Sequence, residues 1–337
     1  MELSNLIEKV MERRHLTKEE CNAAVEEMVL CKSPLQSAAF LAALQTKGIT
    51  VEELSAFADE LRKRAIPVNV KDAIDVCGTG GDHSGTFNIS TAAAIILAGA
   101  GIKVAKHGNK AVSSSCGSAD VLSILGIPIN FHAEQAEEAI QKTNFGFIFA
   151  PNFHKAFKNI MPVRKELQVK TMFNMLGPLL NPAQVKGQVI GVFKPELTEL
   201  FAEVLKKRGL QRAMVVHGSG LDEITITGET KITELREGKI RTYTVKPEDF
   251  GIKRAGLEEI KGKDAEFNAN IIRKVLNPKE KDNPYRDIAL INAAAGFVVA
   301  GKADNLKEGV ALAKNTILSG KAWKKLKDLN PTSACSP

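Results

Sequence analysis

Aromatic residues are scarce in this chain: of 337 residues one is Trp, two are Tyr and fifteen are Phe. A protein that stacks single-stranded bases on aromatic platforms needs more of them, so that class is disfavoured. Cysteine is equally thin. The five at 21, 31, 77, 116 and 335 show no paired-metal spacing and leave an odd one over, which reads as free thiols in a reducing cytoplasm. The N-terminal Met1-Glu2-Leu3-Ser4-Asn5 lacks the basic-then-apolar layout of a signal peptide. The most apolar run, 92–101, is too short to span a bilayer. Charge of one sign is in only modest excess: the net +7 is spread along the chain, suiting anionic ligands without marking a nucleic-acid surface. There is no Ser-His-Asp signature and no His-rich metal motif, and the Gly-Lys-Ser/Thr of a P-loop is absent. What is present is ordinary globular material, 44% hydrophobic and 25% charged, enough for a packed core.

Residues 3–66 read as helices only. Leu3, Leu6, Ile7, Val10 and Met11 recur at helical spacing, and Thr17 with Glu20 and Thr50 with Glu53 are capping boxes. Ser33 before Pro34 sets a cap residue ahead of a proline suited to a first helical turn. No residue type here suggests chemistry, so 1–66 is expected to be a small all-helical domain for packing or dimerisation, with parts of 155–182 against it. After Ile66-Pro67 strands, loops and helices alternate, which implies an α/β domain over 70–335 with a mainly parallel central sheet and flanking helices. Beyond the two strands that lead into the glycine loops described below, strands are expected at 127–130, 145–151, 189–193 and 214–218. A hairpin is expected from 230–235 and 239–245 across Glu237-Gly238. Helices are expected at 134–142, 154–160 and 195–208, with two more, 284–300 and 306–318, closing the chain. Ligands of such a sheet gather beyond the carboxyl ends of its strands.

Two loops stand at such ends. Gly78-Thr79-Gly80-Gly81-Asp82, followed by Thr86 and Asn88-Ile89-Ser90-Thr91, is neither G-x-G-x-x-G nor a P-loop, yet three glycines in four residues mean close approach of backbone to something. Lys106-His107-Gly108-Asn109-Lys110-Ala111-Val112-Ser113-Ser114, with Ser118 beyond, repeats the pattern one strand later. Loops that aim backbone N–H groups and a helix N-terminus at one place are phosphate sites, and two in succession suit a ligand with two phosphate groups. A structural turn is the plain alternative for the first loop, and a core histidine for His107. Asp222-Glu223 after a strand-ending Val-Val-His-Gly is solvated surface in most proteins; beside a phosphate site it suits Mg²⁺. The planar fork of Arg164 fits a carboxylate, and fits an ordinary surface position equally well.

As an ordered set, the segments 75–82, 88–91, 106–109, 117–120, Phe173-Asn174-Met175-Leu176-Gly177-Pro178 and Asp222-Glu223 resemble the anthranilate phosphoribosyltransferases of tryptophan biosynthesis. That family shares its fold with the pyrimidine nucleoside phosphorylases, and the likeness runs nearly the whole chain, including 287–293. It implies transfer of the phosphoribosyl group of 5-phosphoribosyl 1-pyrophosphate (PRPP) to the amino group of anthranilate, with Mg²⁺ as cofactor. It implies that Gly78, Gly81, Asp82, Thr86, Asn88, Ile89, Ser90, Thr91, Lys106, His107, Gly108, Asn109, Lys110, Ala111, Val112, Ser113, Ser114 and Ser118 surround PRPP. Ser90, Asp222 and Glu223 would hold the metal, and Asp222, Glu223, Lys106 and Asn109 would carry catalysis. Gly78, Asn109 and Arg164 would meet anthranilate, with His107, His154 and Pro178 along its path. A cytoplasmic homodimer joined through the N-terminal helices is expected. A nucleoside phosphorylase-like enzyme and a non-catalytic nucleic-acid-binding relative are the alternatives. Three positions depart from the family: Lys110 stands for the usual Arg, and Gln168 and Lys170 for the usual Gly and Arg, keeping charge at both basic positions and giving up the two-pronged geometry.

Overall fold

A computed structural model describes residues 1–111 and 115–330. Four helices open the chain: α1 (Leu3–Met11), α2 (Lys18–Leu30), α3 (Pro34–Lys47) and α4 (Val51–Lys63). Their starts are fixed by the caps legible in the sequence. Thr17 Oγ1 accepts from Glu20 N at 3.3 Å while Glu20 Oε2 accepts from Thr17 N at 2.7 Å, and Thr50 with Glu53 repeats the arrangement. Glu53 is also the buried pin of the bundle, bonded to Leu16 N and paired with Lys47 at 2.8 Å, with both side chains at most 1% exposed.

The strands then alternate with helices: β1 (Ile74–Gly78), α5 (Ile89–Gly99), β2 (Val104–Gly108), α6 (Ser118–Ile124), α7 (Ala133–Thr143), β3 (Phe145–Phe149), α8 (Ala150–Phe153), α9 (Met161–Leu167), α10 (Met172–Leu179), β4 (Gly187–Gly191), α11 (Leu197–Lys207), β5 (Arg212–Gly218), β6 (Thr230–Arg236), β7 (Lys239–Val245), α12 (Ala265–Leu276), α13 (Pro284–Val299), α14 (Leu306–Leu318) and α15 (Lys321–Asp328). The sheet order is β3-β2-β1-β4-β5-β6-β7, parallel through β5, with the β6–β7 hairpin antiparallel at one edge. The mainly parallel sheet and the all-helical N-terminal part expected from the sequence are both present. No helix among the described residues is long and apolar enough to cross a membrane.

Each face of the sheet has its own core. On one, α5 lies against α13, α14 and α15, apolar all round because it is covered on every side. Its partners come close through small residues: a Cβ at Gly99 would stand 2.9 Å from Ala322 Cα. On the other, Phe40, Leu44, Phe57 and Leu61 of the bundle share a core with Val163, Phe173 and Leu176 of α9 and α10 and with Phe201 and Val215. The bundle therefore packs against the segment that follows β3 and against the sheet itself.

Several details differ from expectation. Residues 127–130 form no strand: Pro128 removes a donor, and the segment runs as a connection that drops Ile127 and Ile129 onto the core without a ladder partner. Residues 154–160 give only a single 3₁₀ turn, Lys155–Phe157, because His154 (φ −115°, ψ 61°) breaks out of helical geometry. Helices α8, α9, α10, α12 and α15 are additional to those expected, and α8 takes up 150–151, which were expected to continue the strand from 145. Asp264 caps α12 through Phe267 N at 2.8 Å, while α15 is a short helix that buries Ala322 and Leu326 among lysines.

One buried amide fixes the turn after β5. Asn292 of α13 accepts from Ile224 N at 2.9 Å and donates to Ile224 O at 2.8 Å, standing in for a strand neighbour. Asn292→Leu leaves both backbone groups unpaired in the core and should cost about 2–4 kcal/mol in urea unfolding, each orphaned group contributing roughly 1–3. A loss below about 1 kcal/mol would mean that the turn is held by other contacts.

Candidate active site

The site begins with three glycines. β1, β4 and β5 end side by side at Gly78, Gly191 and Gly218, with Gly78 opposite Gly191 in register. The turn carrying Asp222 and Glu223 folds directly onto them. A Cβ at Gly78 would lie 2.2 Å from Asp222 Oδ2, one at Gly191 1.5 Å from Asp222 O, and one at Gly218 2.5 Å from Glu223 O. No side chain fits in any of the three places. The glycine loop after β1 closes over the turn from above: Gly80 N donates to Asp222 Oδ2 at 2.7 Å, and Asp222 N reaches Asp82 Oδ2 at 3.4 Å. Gly80 and Gly81 have φ of +66° and +75°, which bring the loop round at that point. Ser84 holds Asp82 from the far side through its hydroxyl, 2.7 Å, and lies 3.5 Å from the Thr86 hydroxyl.

The carboxylates of Asp222, Glu223 and Asp82 share a poorly solvated space. Removal from water, with Asp82 next to it, raises the Asp222 carboxyl to about 7. The same desolvation, then Asp222, pushes Glu223 well above the ordinary carboxylate range, although Lys106 and a hydrogen bond from Ser90 N oppose it. Ser90 belongs to the first turn of α5, whose N-cap Asn88 gives no side-chain cap. Asn88 spends its amide on Cys116 O and Asn268 instead, and the Ser90 N–H at the start of α5 is directed at Glu223. Thr91, one residue on, has a buried hydroxyl with no partner among the described residues. Among the described residues no group of three or more His, Cys, Asp or Glu side chains is arranged to hold a metal ion by itself. The arrangement fits a hard cation that takes one or two carboxylates and completes its shell with water and phosphate oxygens, which is the habit of Mg²⁺.

The second loop leaves β2. Lys106 is 1% exposed and points under the strand ends, donating to Val76 O at 2.7 Å and Ser90 Oγ at 3.2 Å. Burial lowers its pKa, and buried Asp75 opposes that. Asp75 itself is held by His107 N at 3.3 Å and Asn181 Nδ2 at 2.9 Å. Beyond Gly108, Asp120 of α6 gathers the loop by accepting from Ala111 N and Gly117 N, both at 2.9 Å, and Ser118 Oγ donates to Asn109 O at 3.3 Å. Asn109 and Lys110 are exposed at the rim. Val112, Ser113 and Ser114 lie outside the described residues.

The remaining expected residues form an aromatic wall. His107 Nε2 and His154 Nε2 stand 3.2 Å apart, and ring contacts run on from His154 to Phe157 and from Phe157 to Phe173. Arg164 lies across the last of these, its guanidinium carbon 4.9 Å from the Phe173 ring centre. Burial holds His154 at about 4 and His107 well below its ordinary value, so both imidazoles are neutral at pH 7. Pro178 sits inside α10, where its carbonyl accepts from Gln188 Nε2 at 3.0 Å. The structure thus brings Asp222, Glu223, Gly78, Ser90 and Lys106 together around one point and lines up His107, His154 and Arg164 along another wall. Sequence reasoning gave no roles to Asp75, Asn181 and Asn292. Asp75 did leave a signal, a carboxylate inside an apolar strand next to the strand of Lys106.

Residues 70–323 match the family model described as the glycosyl transferase family a/b domain, and residues 4–65 match its helical bundle domain. The anthranilate phosphoribosyltransferase of Desulfosudis oleivorans is 48% identical over 330 residues, 97% of each chain. That of Rhodopseudomonas palustris is 46% identical over 339 residues and the full length of both. Among solved structures, anthranilate phosphoribosyltransferase from Thermus thermophilus superposes with a TM-score of 0.91 at 41% identity, over 98% of this chain and 99% of that one. The Saccharomyces cerevisiae enzyme in complex with PRPP and Mg gives 0.89 at 27% identity, over 99% and 98%.

The carboxylate cluster sets a pH dependence for the metal-free protein. An acid whose folded pKa is raised stabilises the fold below its unfolded value and loses that contribution as pH rises through the folded one. For Asp222 the window runs from 3.8 to about 7. At 1.36 kcal/mol per unit its upper bound is on the order of 4 kcal/mol, reduced by water on the open side of the cleft. In a chelator, Asp222→Asn should therefore gain on the wild type by a few degrees of Tm between pH 4 and pH 8. A difference in Tm that stays flat with pH would contradict the assignment.

Proposed function

We propose that this chain, which belongs to the anthranilate phosphoribosyltransferases within the glycosyl transferase family, transfers the phosphoribosyl group of PRPP to the amino group of anthranilate through the cleft at the ends of β1, β2, β4 and β5. The observation that carries this reading is the seating of the Asp222-Glu223 turn against both the glycine loop and the N-terminus of α5. A phosphate group, a hard cation and backbone donors are thereby offered one common place.

In the reaction the C1–O bond to pyrophosphate breaks, the electron pair leaves with pyrophosphate, and the nitrogen of anthranilate bonds to C1 and sheds a proton. The 78–91 and 106–118 segments hold the donor substrate through loop amides, with the side chains of Asp82, Thr86, Asn88, Ser90, Thr91, Asn109, Lys110 and Ser118 around it. Lys106 supplies positive charge from beneath, through Ser90 and the strand ends, rather than by standing in the open cleft. Asp222, Glu223 and Ser90 would hold Mg²⁺, which when bound neutralises charge on the leaving pyrophosphate, a Lewis-acid effect worth several kcal/mol. The neutral His107 and His154 line the approach of an uncharged aromatic ring, and neither is needed as a base because an aromatic amine is already nucleophilic. Positioning the two substrates supplies much of the remaining rate. The assay is the loss of anthranilate when protein, PRPP and Mg²⁺ are mixed; no loss would overturn the reading.

The N-terminal helices form a homodimer interface in this reading. They carry Met11, Leu30 and Leu35 at 70%, 51% and 84% exposure, side chains that a partner would cover. The dimer would work in the cytoplasm. Sedimentation of the wild type as a single chain would remove the dimer.

Arg164 is assigned to the carboxylate of anthranilate, held flat by Phe173. Arg164→Ala should raise KM for anthranilate about tenfold or more, since a charge-assisted bond contributes roughly 1.5–3 kcal/mol, and leave KM for PRPP nearly unchanged. Arg164→Lys should recover part of the loss. A variant impaired mainly toward PRPP would place Arg164 with the other substrate.

A further inference from the structure

Lys170 lies between the two halves of the cleft and touches the phosphate half. Its ammonium donates to Gly81 O of the glycine loop and packs 4.4 Å from the centre of the Phe193 ring, just beyond β4. Its Cε is close enough that a Cβ at Gly81 would stand 3.3 Å away. The loop is therefore gripped from two sides, by Asp222 at Gly80 and by Lys170 at the next residue. The mount of Lys170 is short and fixed at both ends. Upstream, α9 with Arg164 stops at Gln168, in the left-handed region at φ +52°. Downstream, Thr171 caps α10, accepting from Phe173 N at 3.4 Å while its own N–H is taken by Asn174. The partner of Lys170 is one carbonyl, which needs one donor and no planar fork, and the lysine ammonium supplies it.

We propose that Lys170 is a positioning residue that clasps the phosphate-binding glycine loop to the α9–α10 connection. It thereby keeps the PRPP half of the cleft in register with the wall that carries Arg164. The inference rests on the reading of that loop as the PRPP cradle, but the clasp itself is a property of the substrate-free protein and is tested there first.

Lys170→Met keeps the length and the apolar stem and removes the donor; Lys170→Arg restores a donor. Amide hydrogen exchange of residues 79–86, without substrates, should accelerate about tenfold or more in Lys170→Met and return close to wild type in Lys170→Arg, as expected for a lost charge-assisted bond. KM for PRPP should rise by a similar factor in Lys170→Met, again with recovery in Lys170→Arg. The exchange rates of α5 serve as the control for general unfolding, and if Lys170→Met does not fold, Lys170→Gln replaces it. Unchanged exchange overturns the clasp whatever the kinetics do. In particular, a raised KM with unchanged exchange would mean that Lys170 contacts the phosphate directly and does not position the loop. If anthranilate is not consumed at all, the function proposed above fails while the exchange result still decides the clasp.

Discussion

Backbone contact without side chains is the constraint on which this site depends. Three neighbouring strands end in glycine, and the Asp222-Glu223 turn occupies the volume their side chains would have filled. Only at that distance can Asp222 reach the amide of Gly80 and Glu223 the first turn of α5. The arrangement is electrostatically costly, because desolvated carboxylates stand together and their pKa values rise accordingly. Lys106 below and the Ser90 amide of α5 offset part of that cost, and a divalent cation shared with phosphate oxygens would offset more.

The rest of the fold holds these groups at fixed heights. Asn292 pins the turn from α13, Asn181 and Asp75 fix the level of β2 relative to β1, and Asp120 gathers the second loop onto α6. The aromatic wall is mounted differently. His154, Phe157, Arg164 and Phe173 lie on the segment that packs with the helical bundle, so its position answers to the core on that face of the sheet. The two substrates would thus meet between parts anchored to different cores, and a tie such as Lys170 to Gly81 is what such a construction needs.

Much of this was legible where chemistry is written locally. Thr17, Thr50 and Ser33-Pro34 announce helix starts because a cap is a contact between residues three apart. The glycine loops and the Asp222-Glu223 pair could be read because few other uses explain those residue types after a strand. What stayed hidden depends on partners far apart in sequence. Lys106 reads as a cation for phosphate, and only the fold shows its ammonium turned beneath the strands toward Val76 O and Ser90. Gly191 and Gly218 look like ordinary strand ends until the turn is laid over them. Residues 127–130 have the composition of a strand, but no neighbouring strand offers them a ladder. The eight-residue α15 sets Ala322 and Leu326 against its lysines at helical spacing, over little more than two turns.

The Asp222-Glu223 turn is thus placed by the absence of side chains beneath it. Binding of Mn²⁺, a paramagnetic stand-in for Mg²⁺, to the Gly191→Ala protein with PRPP present isolates that dependence, because Gly191 supplies no ligand of its own. A Cβ there would stand 1.5 Å from Asp222 O, so the turn must move. The expected outcome is a folded protein whose Mn²⁺ affinity, read by electron paramagnetic resonance, falls about as far as in Asp222→Asn. A folded Gly191→Ala protein with wild-type Mn²⁺ affinity would contradict it.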